Sequence, residues 1–406
     1  MNPDTGHEAL RQTLWRAVVV MLGMGALFYA ASAYSIAIDP EHRSPTGNVV
    51  GVDYSAYHAA ATMLRYGDAD QLYDLDAMTE LLRDVRQGPT SREPTYLYPP
   101  ALATVLTPVA PLRYEVGLAL WSALGIAAFF LGLRAINARA PALLVGAVLL
   151  SVPGFLGVSL GQGHFYWAAI YAGVLSRLRA GKSVHAGLLA ALLILKPQLL
   201  VPVVLWWILD WRRCRRALVA VALGVLVISL VPTVLFSGAY DGYPAMLRAA
   251  AEAFPLNGIP MGVTLRYMVS AFTGGFSAWS SGIVIVGFGF LVAVLVRGVR
   301  ACWSTEMMFI VATTGGLLVL PHLLAYDWVL LVPAGVVFVQ LSPTRTVLLP
   351  AMIVGLLGSL TFQVVFGIAS YERFGRGIQV APLVLLLALF AAVRQLLRTP
   401  EAINTA

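Results

Sequence analysis

The sequence predicts an all-α membrane protein that crosses the bilayer about ten to twelve times. Hydrophobic residues make up 59% of the 406 residues and charged residues only 12%, against roughly 45–50% and 25% in soluble domains. Apolar runs close to the ~20 residues that a spanning helix needs recur along the whole chain. None of them alternates apolar and polar residues as a membrane β-strand does. We therefore expect a single integral membrane domain over residues 1–406.

The apolar runs define the predicted spans. They cover residues 14–38, 114–133, 141–160, 163–178, 185–209, 217–237, 278–298, 306–321, 328–341, 346–367 and 379–397. The first run is too long for a signal-peptide core, so we predict a retained span. Two segments are predicted to be broken or re-entrant, because residues 98–112 contain four prolines and the run 185–209 contains Lys196-Pro197.

Basic residues at the ends of the runs predict the orientation in the membrane. If neither broken segment crosses the membrane fully, six groups of basic residues fall on the same side as the N-terminus. The positive-inside rule predicts that this side is cytoplasmic. The groups are Arg134/Arg139, Arg177/Arg179/Lys182, Arg212/Arg213/Arg215/Arg216, Arg297/Arg300, Arg345 and Arg394/Arg398. The loops 39–97, with amphipathic helices, and 238–276 then lie on the extracytoplasmic face. We expect a multi-pass protein of the inner (plasma) membrane.

The same pattern excludes several function classes. The net charge of +7 is explained by the positive-inside distribution, so we expect no nucleic-acid partner. Cys214 and Cys302 have neither disulfide nor metal-ligand spacing, and we expect no metal. No phosphate-binding loop or dinucleotide fingerprint stands in a credible context, so the chemistry is not predicted to use a bound nucleotide.

Asp53 stands in front of a helical pattern just after the first span. Tyr54, Tyr57, Ala61 and Leu64 are spaced as on one face of an amphipathic helix, lying on the membrane surface or against the bundle. Two interpretations stay open. Asp53 either caps the helix N-terminus or takes a proton from an incoming hydroxyl, with Tyr57 as a substrate contact.

Ionisable residues inside apolar surroundings are the next candidates, because such residues are costly and usually face a partner or a cavity. Lys196 lies in the middle of an apolar run, where an anion such as a phosphate is its natural partner, and Gln198 follows it. His322 and Asp327 lie between two apolar runs. They either form part of a site, in which His322 is the better candidate for contacting the substrate, or they cap the two flanking helices. Arg266 is a second phosphate contact or an ordinary interfacial arginine.

Two further stretches complete the candidate set for substrate binding. Gln162 and His164 follow an apolar run and lie in a glycine-containing turn. Either the glycines allow a ligand to approach the backbone closely, or this is a plain interhelical turn. Tyr98 is the first residue of the proline-rich segment. The rigid backbone of this segment either forms a wall around a polyisoprenoid or a sugar, or is only the corner of a re-entrant segment.

Taken in order, these stretches resemble glycosyltransferase family 87, whose members are polytopic enzymes of the GT-C fold. The likeness covers residues 14–330. It is carried by Asp53-Tyr54-Ser55-Ala56-Tyr57-His58-Ala59-Ala60, Leu72-Tyr73-Asp74, Tyr98-Pro99-Pro100, Gly161-Gln162, Leu195-Lys196-Pro197-Gln198, and Pro321-His322 with Tyr326-Asp327. Each motif is short, and the ordered set is what makes the resemblance specific.

The resemblance implies a hexose donor, mannose in the typical members, carried on polyprenyl phosphate and used on the extracytoplasmic face without a nucleotide or an obligatory metal. It implies that Asp53 is the catalytic base and that His322 works in the site. We expect the acceptor to be a hydroxyl of a lipid or glycan. A single displacement would invert the anomeric configuration and give an α-glycoside. Membrane lipids are expected to surround the protein. His164 stands where the family often has Asn, so the contacts there differ.

Two other classes of protein stay open on the sequence. A transporter or flippase for a lipid-linked or anionic substrate also uses broken helices and charges at membrane depth. However, the halves show no inverted repeat, and the candidate residues are predicted to gather on one face. A structural membrane subunit leaves Lys196 and His322 without an explanation. We therefore expect a glycosyltransferase.

Overall fold

The computed structural model describes residues 3–38, 50–86, 96–253, 261–342, 348–363, 366 and 368–397. These residues are predominantly helical, and within the described ranges the only β-type pairing is an isolated bridge between Gly262 and Leu324. The all-α prediction is confirmed. Parts of the two predicted loops, residues 39–49, 87–95 and 254–260, lie outside the described residues, as do Arg345 and Arg398.

The first half of the chain forms one long N-terminal helix and a series of shorter ones. They are α1 (Pro3–Ile38), α2 (Val52–Tyr66), α3 (Leu75–Arg86), α4 (Pro100–Leu106), α5 (Tyr114–Ala135), α6 (Pro141–Leu149), α7 (Val152–Leu160) and α8 (His164–Arg179). A single turn, Ala69–Gln71, joins α2 to α3.

The second half continues in the same way. Its helices are α9 (Ser183–Ala191), α10 (Leu200–Leu209), α11 (Trp211–Leu235), α12 (Tyr243–Ala253), α13 (Leu265–Thr273), α14 (Ala278–Arg300), α15 (Thr305–Val319), α16 (Leu331–Leu341), α17 (Leu348–Phe362), α18 (Ile368–Phe374) and α19 (Ala381–Leu396). The 3₁₀ segments Leu192–Leu195, Pro197–Leu199 and Ala325–Leu330 complete it.

Four of the described helices, α1, α5, α11 and α14, are long and apolar enough to cross a membrane. The pair α6 and α7 raises this number to five if it counts as one span, although its two helices are bent by 71°. The run 141–160, predicted as one span, is therefore bent in its middle. The break follows from Ser151, whose Oγ caps α7, and Pro153, which has no N–H to continue α6. The higher total of ten to twelve spans stays a prediction.

Both segments that the sequence predicted to be broken are broken. The run 185–209 is interrupted at Lys196, whose φ of −136° and ψ of 79° are not helical. The cause is Pro197, because a proline disfavours the helical conformation of the residue before it. In the proline-rich segment, α4 starts at Pro100 and only seven residues are α-helical. This segment is too short to span a bilayer.

Helix α2 lies against the bundle instead of on a membrane surface. Most of its residues are buried, including Ala59, Ala60 and Ala61 with no exposed surface. These small side chains let neighbouring helices approach closely. The preceding Gly51 has a φ of 74°, in the left-handed region that favours glycine, and its N–H donates to Ser159 O at 2.7 Å. The start of α2 is thereby fixed to the end of α7.

Two of the predicted cytoplasmic arginines, Arg179 and Arg213, lie at one end of the bundle. Arg179, at the end of α8, contacts Glu306 Oε1 at 2.9 Å, Gln340 Oε1 at 3.0 Å and Ile136 O at 3.4 Å. Arg213 donates to Trp303 O at 3.3 Å. Since α8 has 16 residues and is therefore about 24 Å long, its first residue lies at the opposite end. That opposite end carries the polar cluster described next.

Candidate active site

Asp53 lies in the first turn of α2, and it is not the helix cap. The N-cap residue is Gly51, and Asp53 is the second residue of the helix. The interpretation of Asp53 as an N-cap is therefore wrong, because the left-handed glycine starts the helix two residues earlier. Asp53 Oδ2 instead accepts a hydrogen bond from Gln162 Nε2 at 2.6 Å. This contact joins two motifs that are far apart in the sequence.

Gln162 occupies the turn between α7 and α8. Gly161 ends α7 with a φ of 74°, which reverses the chain and brings Gln162 N–H to Gly157 O at 2.8 Å. The indole N–H of Trp121 donates to Gly161 O at 3.1 Å. This turn therefore projects the Gln162 side chain toward α2.

Two tyrosine hydroxyls contact the same side chain. Tyr57 on α2 and Tyr98 before α4 donate to Gln162 Oε1 at 3.0 and 3.1 Å. Burial raises the pKa of both hydroxyls above the usual value, so both are protonated donors at neutral pH. Tyr57, Tyr98, Gln162 and Asp53, all predicted site residues, thus form one network.

Lys196 forms a buried ion pair with Asp327. Lys196 Nζ lies 2.5 Å from Asp327 Oδ1, and only 3% and 1% of the two residues are exposed. Asp327 Oδ2 accepts from the backbone N–H of Leu324 at 3.1 Å. The anion beside Lys196 in this structure is therefore a carboxylate of the chain. Asp327 is the third residue of the turn 325–330, and its side chain caps the start of that turn, as the helix-capping interpretation expected.

The ion pair and the Asp53 network belong to one site. The Lys196 ammonium lies within electrostatic reach of both Tyr98 and Asp53. It also lies 5.1 Å from the centre of the Tyr326 ring, a distance typical of cation–π contacts. A carboxylate and a cation are thus held on the two sides of a cluster of tyrosines.

His322 extends the cationic side of the site. Its Nδ1 is hydrogen-bonded to the Tyr267 hydroxyl on α13. Burial, with smaller effects from the cations Lys196 and Arg266, lowers the pKa of His322 to about 4, so the ring is neutral at pH 7. Arg266 itself stacks over the Phe276 ring at 4.0 Å. His322 therefore lies within electrostatic reach of both Lys196 and Arg266.

Two predicted residues lie at the edge of this cluster. His164 is buried, and its Nδ1 is 3.1 Å from Gln162 O, with Phe165 and Tyr326 beside the ring. It supports the Gln162 turn, and its role as a substrate ligand stays a prediction. Gln198 is half-buried in the single turn after Lys196, and its role likewise stays a prediction.

Tyr267 and Gln363 also belong to this region, although neither is among the residues predicted from the sequence. Gln363 lies after α17 and donates from Nε2 to Gly262 O at 2.6 Å, while Val263 N–H donates to Leu323 O at 3.1 Å. The C-terminal part of the chain, which the sequence suggested to be only apolar spans, thereby supports the segment that carries Arg266. The signal that was available for Gln363 is that it is the one amide side chain in the run 346–367.

A metal is not part of the predicted chemistry. Within the described ranges, no group of three or more His, Cys, Asp or Glu side chains is placed to hold a metal ion. The expectation that the reaction needs no metal stays a prediction.

Comparison with known proteins gives one result. No curated protein and no solved structure matches the chain. The family model of glycosyltransferase family 87 matches residues 96–321, which include Tyr98, Gln162, Lys196 and Arg266 of the cluster. The match covers more than half of the sequence, and on this basis the chain belongs to glycosyltransferase family 87.

Proposed function

We propose that this membrane glycosyltransferase moves a hexose, specifically mannose, from a polyprenyl-phosphate donor to a hydroxyl of a lipid or glycan acceptor. Family membership makes the protein a glycosyltransferase, and the transporter and structural-subunit alternatives lose their basis. The donor and the sugar are inferred from the motif resemblance and the chemistry of the site. The observation that carries the proposal is the Asp53 carboxylate, held by Gln162 at 2.6 Å, within electrostatic reach of Lys196.

The proposed reaction is a single displacement at the anomeric carbon. The acceptor oxygen forms a bond to C1 of the sugar while the bond between C1 and the phosphate oxygen breaks. Asp53 takes the proton of the acceptor hydroxyl as general base, and polyprenyl phosphate leaves with the bonding electrons. One displacement inverts the anomeric configuration, so a β-linked donor gives an α-glycoside. No second carboxylate nucleophile is required, unlike in retaining glycosidases.

The cationic side of the site suits the departing phosphate. Charge develops on the phosphate as the bond to C1 breaks, and fixed cations and hydrogen-bond donors stabilise such charge. Lys196 and Arg266 supply positive charge. If the Tyr267 hydroxyl donates to His322 Nδ1, the neutral ring carries its proton on Nε2 and is a donor. Asp327 holds Lys196 in place and offsets the cost of burying its charge.

The first test is a product screen. Purified protein is incubated with a panel of polyprenyl-phosphate sugars and a membrane lipid extract, and the products are identified by mass spectrometry. A mannosylated lipid formed only from the polyprenyl-phosphate mannose donor is the expected result. Transfer from a different polyprenyl-phosphate sugar would overturn the choice of mannose. Transfer from nucleotide sugars alone would overturn the class of donor.

The second test addresses the base. Asp53→Asn keeps an oxygen that accepts from Gln162 but removes the proton acceptor, so we expect transfer to fall by about 100-fold or more, with unchanged thermal unfolding. The matched control is Asp241→Asn, at an exposed acid in the loop after α11, which leaves the rate unchanged. Full activity of Asp53→Asn would refute the assignment of the base.

A further inference from the structure

Gln162 makes hydrogen bonds with every one of its polar groups. Its backbone N–H donates to Gly157 O at 2.8 Å, and its backbone oxygen lies 3.1 Å from His164 Nδ1. Its side-chain oxygen accepts from Tyr57 and Tyr98, and its side-chain nitrogen donates to Asp53. These contacts use both lone pairs of the side-chain oxygen and one of the two N–H groups of the amide nitrogen, so most of the hydrogen-bonding capacity of Gln162 is taken up within the chain.

We propose that Gln162 is a positioning residue for the catalytic carboxylate, and that the hydroxyls of Tyr57 and Tyr98 act through it. The inference rests on the proposed function, because it assigns Asp53 as the base. It replaces the expectation that these three side chains bind the sugar or the phosphate.

The hydrogen-bond network fixes which end of the amide faces Asp53. A carboxylate only accepts hydrogen bonds, so the NH₂ group has to face Asp53. The amide oxygen then faces the two tyrosine hydroxyls, and its two lone pairs match their two O–H donors. Rotating the amide by 180° would place its oxygen against the carboxylate. The two tyrosines therefore hold the amide in the orientation that presents a donor to Asp53.

The tyrosines are themselves rigidly held. Their rings contact each other edge to face, with centroids 5.0 Å apart, which is a favourable aromatic geometry. The Tyr73 hydroxyl donates to the backbone oxygen of Tyr98 at 2.8 Å. The Tyr57 ring also contacts Trp121, the residue that bonds to Gly161 O. Both donors thus come from packed side chains with little rotational freedom.

The backbone at Gln162 adds to this rigidity. Gly161 occupies the left-handed region, and a Cβ at this position would lie 2.5 Å from Tyr54 Cβ. Only glycine fits there, and the turn packs directly against Tyr54. The result is a carboxylate whose direction is set by Gln162 and, through it, by the two tyrosine hydroxyls. Such preorganisation acts on the rate of the chemical step and leaves substrate affinity unchanged.

The test is a double-mutant cycle on transfer kinetics. The variants are Tyr57→Phe, Tyr98→Phe, both together, and each in a Gln162→Leu background, assayed with polyprenyl-phosphate mannose and a membrane lipid extract. We expect each single Phe variant to lower kcat by about 3- to 10-fold, the effect of one hydrogen bond, with the donor KM unchanged. In the Gln162→Leu background the same changes have no further effect. Tyr240→Phe, which removes a hydroxyl bonded to Ser229 O, is the control with normal kcat.

Two results would overturn the inference. An increase in donor or acceptor KM at constant kcat would show that the tyrosines bind substrate. Equal losses of kcat with and without Gln162 would show that they do not act through it. Asp53→Asn is assayed in parallel. If it retains activity, the base assignment fails; if it is inactive while the tyrosine effects are independent of Gln162, only the positioning role fails.

A structure of the Tyr57→Phe/Tyr98→Phe variant tests the same point without any activity. We expect the distance from Gln162 Nε2 to Asp53 Oδ2 to lengthen beyond hydrogen-bond range, because the amide oxygen has lost both donors. An unchanged contact of 2.6 Å in that variant would refute the role of the tyrosines.

Discussion

At the scale of single residues, the pair of Lys196 and Asp327 combines structural and chemical roles. Both side chains are buried, so each charge is tolerated only because the other is 2.5 Å away. Asp327 also accepts the N–H of Leu324. The lysine therefore has a fixed position, with its charge balanced by a carboxylate of the chain.

The energetics of this pair can be measured directly. Lys196→Met leaves Asp327 as a buried, uncompensated charge, so we expect a loss of about 3–5 kcal/mol of stability. In Lys196→Met/Asp327→Asn neither residue is charged, and Asn still accepts from Leu324, so this variant unfolds at a higher temperature than the single one. Thermal unfolding in detergent is the measurement. A double variant less stable than Lys196→Met would show that the charges are not coupled.

His322 predicts a pH dependence of stability. Its pKa is lowered to about 4 in the folded protein, against about 6.5 for an unperturbed histidine. Between these values the unfolded chain binds more protons, so stability is full above pH 6.5 and is lost as the pH falls toward 4. As the pH is lowered from 7 to 4, the melting temperature should fall less steeply for His322→Gln than for the wild type. Parallel curves for the two proteins would mean that His322 does not titrate in this window.

At the scale of elements, local sequence signals explained most of the helix boundaries. Pro197 breaks the run 185–209, and the prolines of 98–112 shorten α4, as predicted. The bend between α6 and α7 was missed because Ser151 and Pro153 lie within a run that is otherwise evenly apolar. The hydropathy of a run reports its length and polarity, but it does not reveal a new helix cap inside it.

The packing of α7 against α8 gives a prediction for a pair of helical glycines. A Cβ at Gly157 in α7 would overlap the ring of His164, whereas a Cβ at Gly146 in α6 has no neighbouring atom within 4 Å. We expect Gly157→Ala to cost about 1–3 kcal/mol and to lower transfer, because His164 supports the Gln162 turn. Gly146→Ala should be neutral or stabilising by about 0.5–1 kcal/mol.

Both glycine variants are measured by thermal unfolding and by transfer rate. Since both exchanges are Gly to Ala in a helix, a difference between them reports the space at each position and excludes a general effect of helix propensity. Equal behaviour of the two variants would refute the close contact between Gly157 and His164.

At the scale of the whole molecule, the sequence selected polar residues that the structure brings together, but it did not predict their contacts. Asp53, Gln162, Lys196 and His322 were all candidates because each is polar in an apolar or helix-start context. Their pairing could not be predicted, since it depends on how distant segments meet. An ionisable residue in an apolar run reveals that a partner exists, and only the fold shows that the partner of Lys196 is Asp327.

The two ends of the bundle differ in chemistry. One end carries the arginines around Arg179, and the other carries the Asp53 cluster. Tyr243 of the second predicted loop stacks on Tyr73 at 5.0 Å, and Tyr73 donates to Tyr98 O, so this loop lies at the site end. If the arginine end is cytoplasmic, as the positive-inside rule predicts, the site faces the extracytoplasmic side.

Cysteine labelling tests this orientation. Cys214 and Cys302 are first replaced by Ala and Ser, and single cysteines are then introduced as Asp241→Cys at the site end and Ala180→Cys at the arginine end. Both positions are exposed. With intact cells, we expect a membrane-impermeant maleimide to label Asp241→Cys, whereas Ala180→Cys reacts only after permeabilisation. The reverse pattern would place the site on the cytoplasmic face, and labelling of both in intact cells would mean that the two ends are not separated by the membrane.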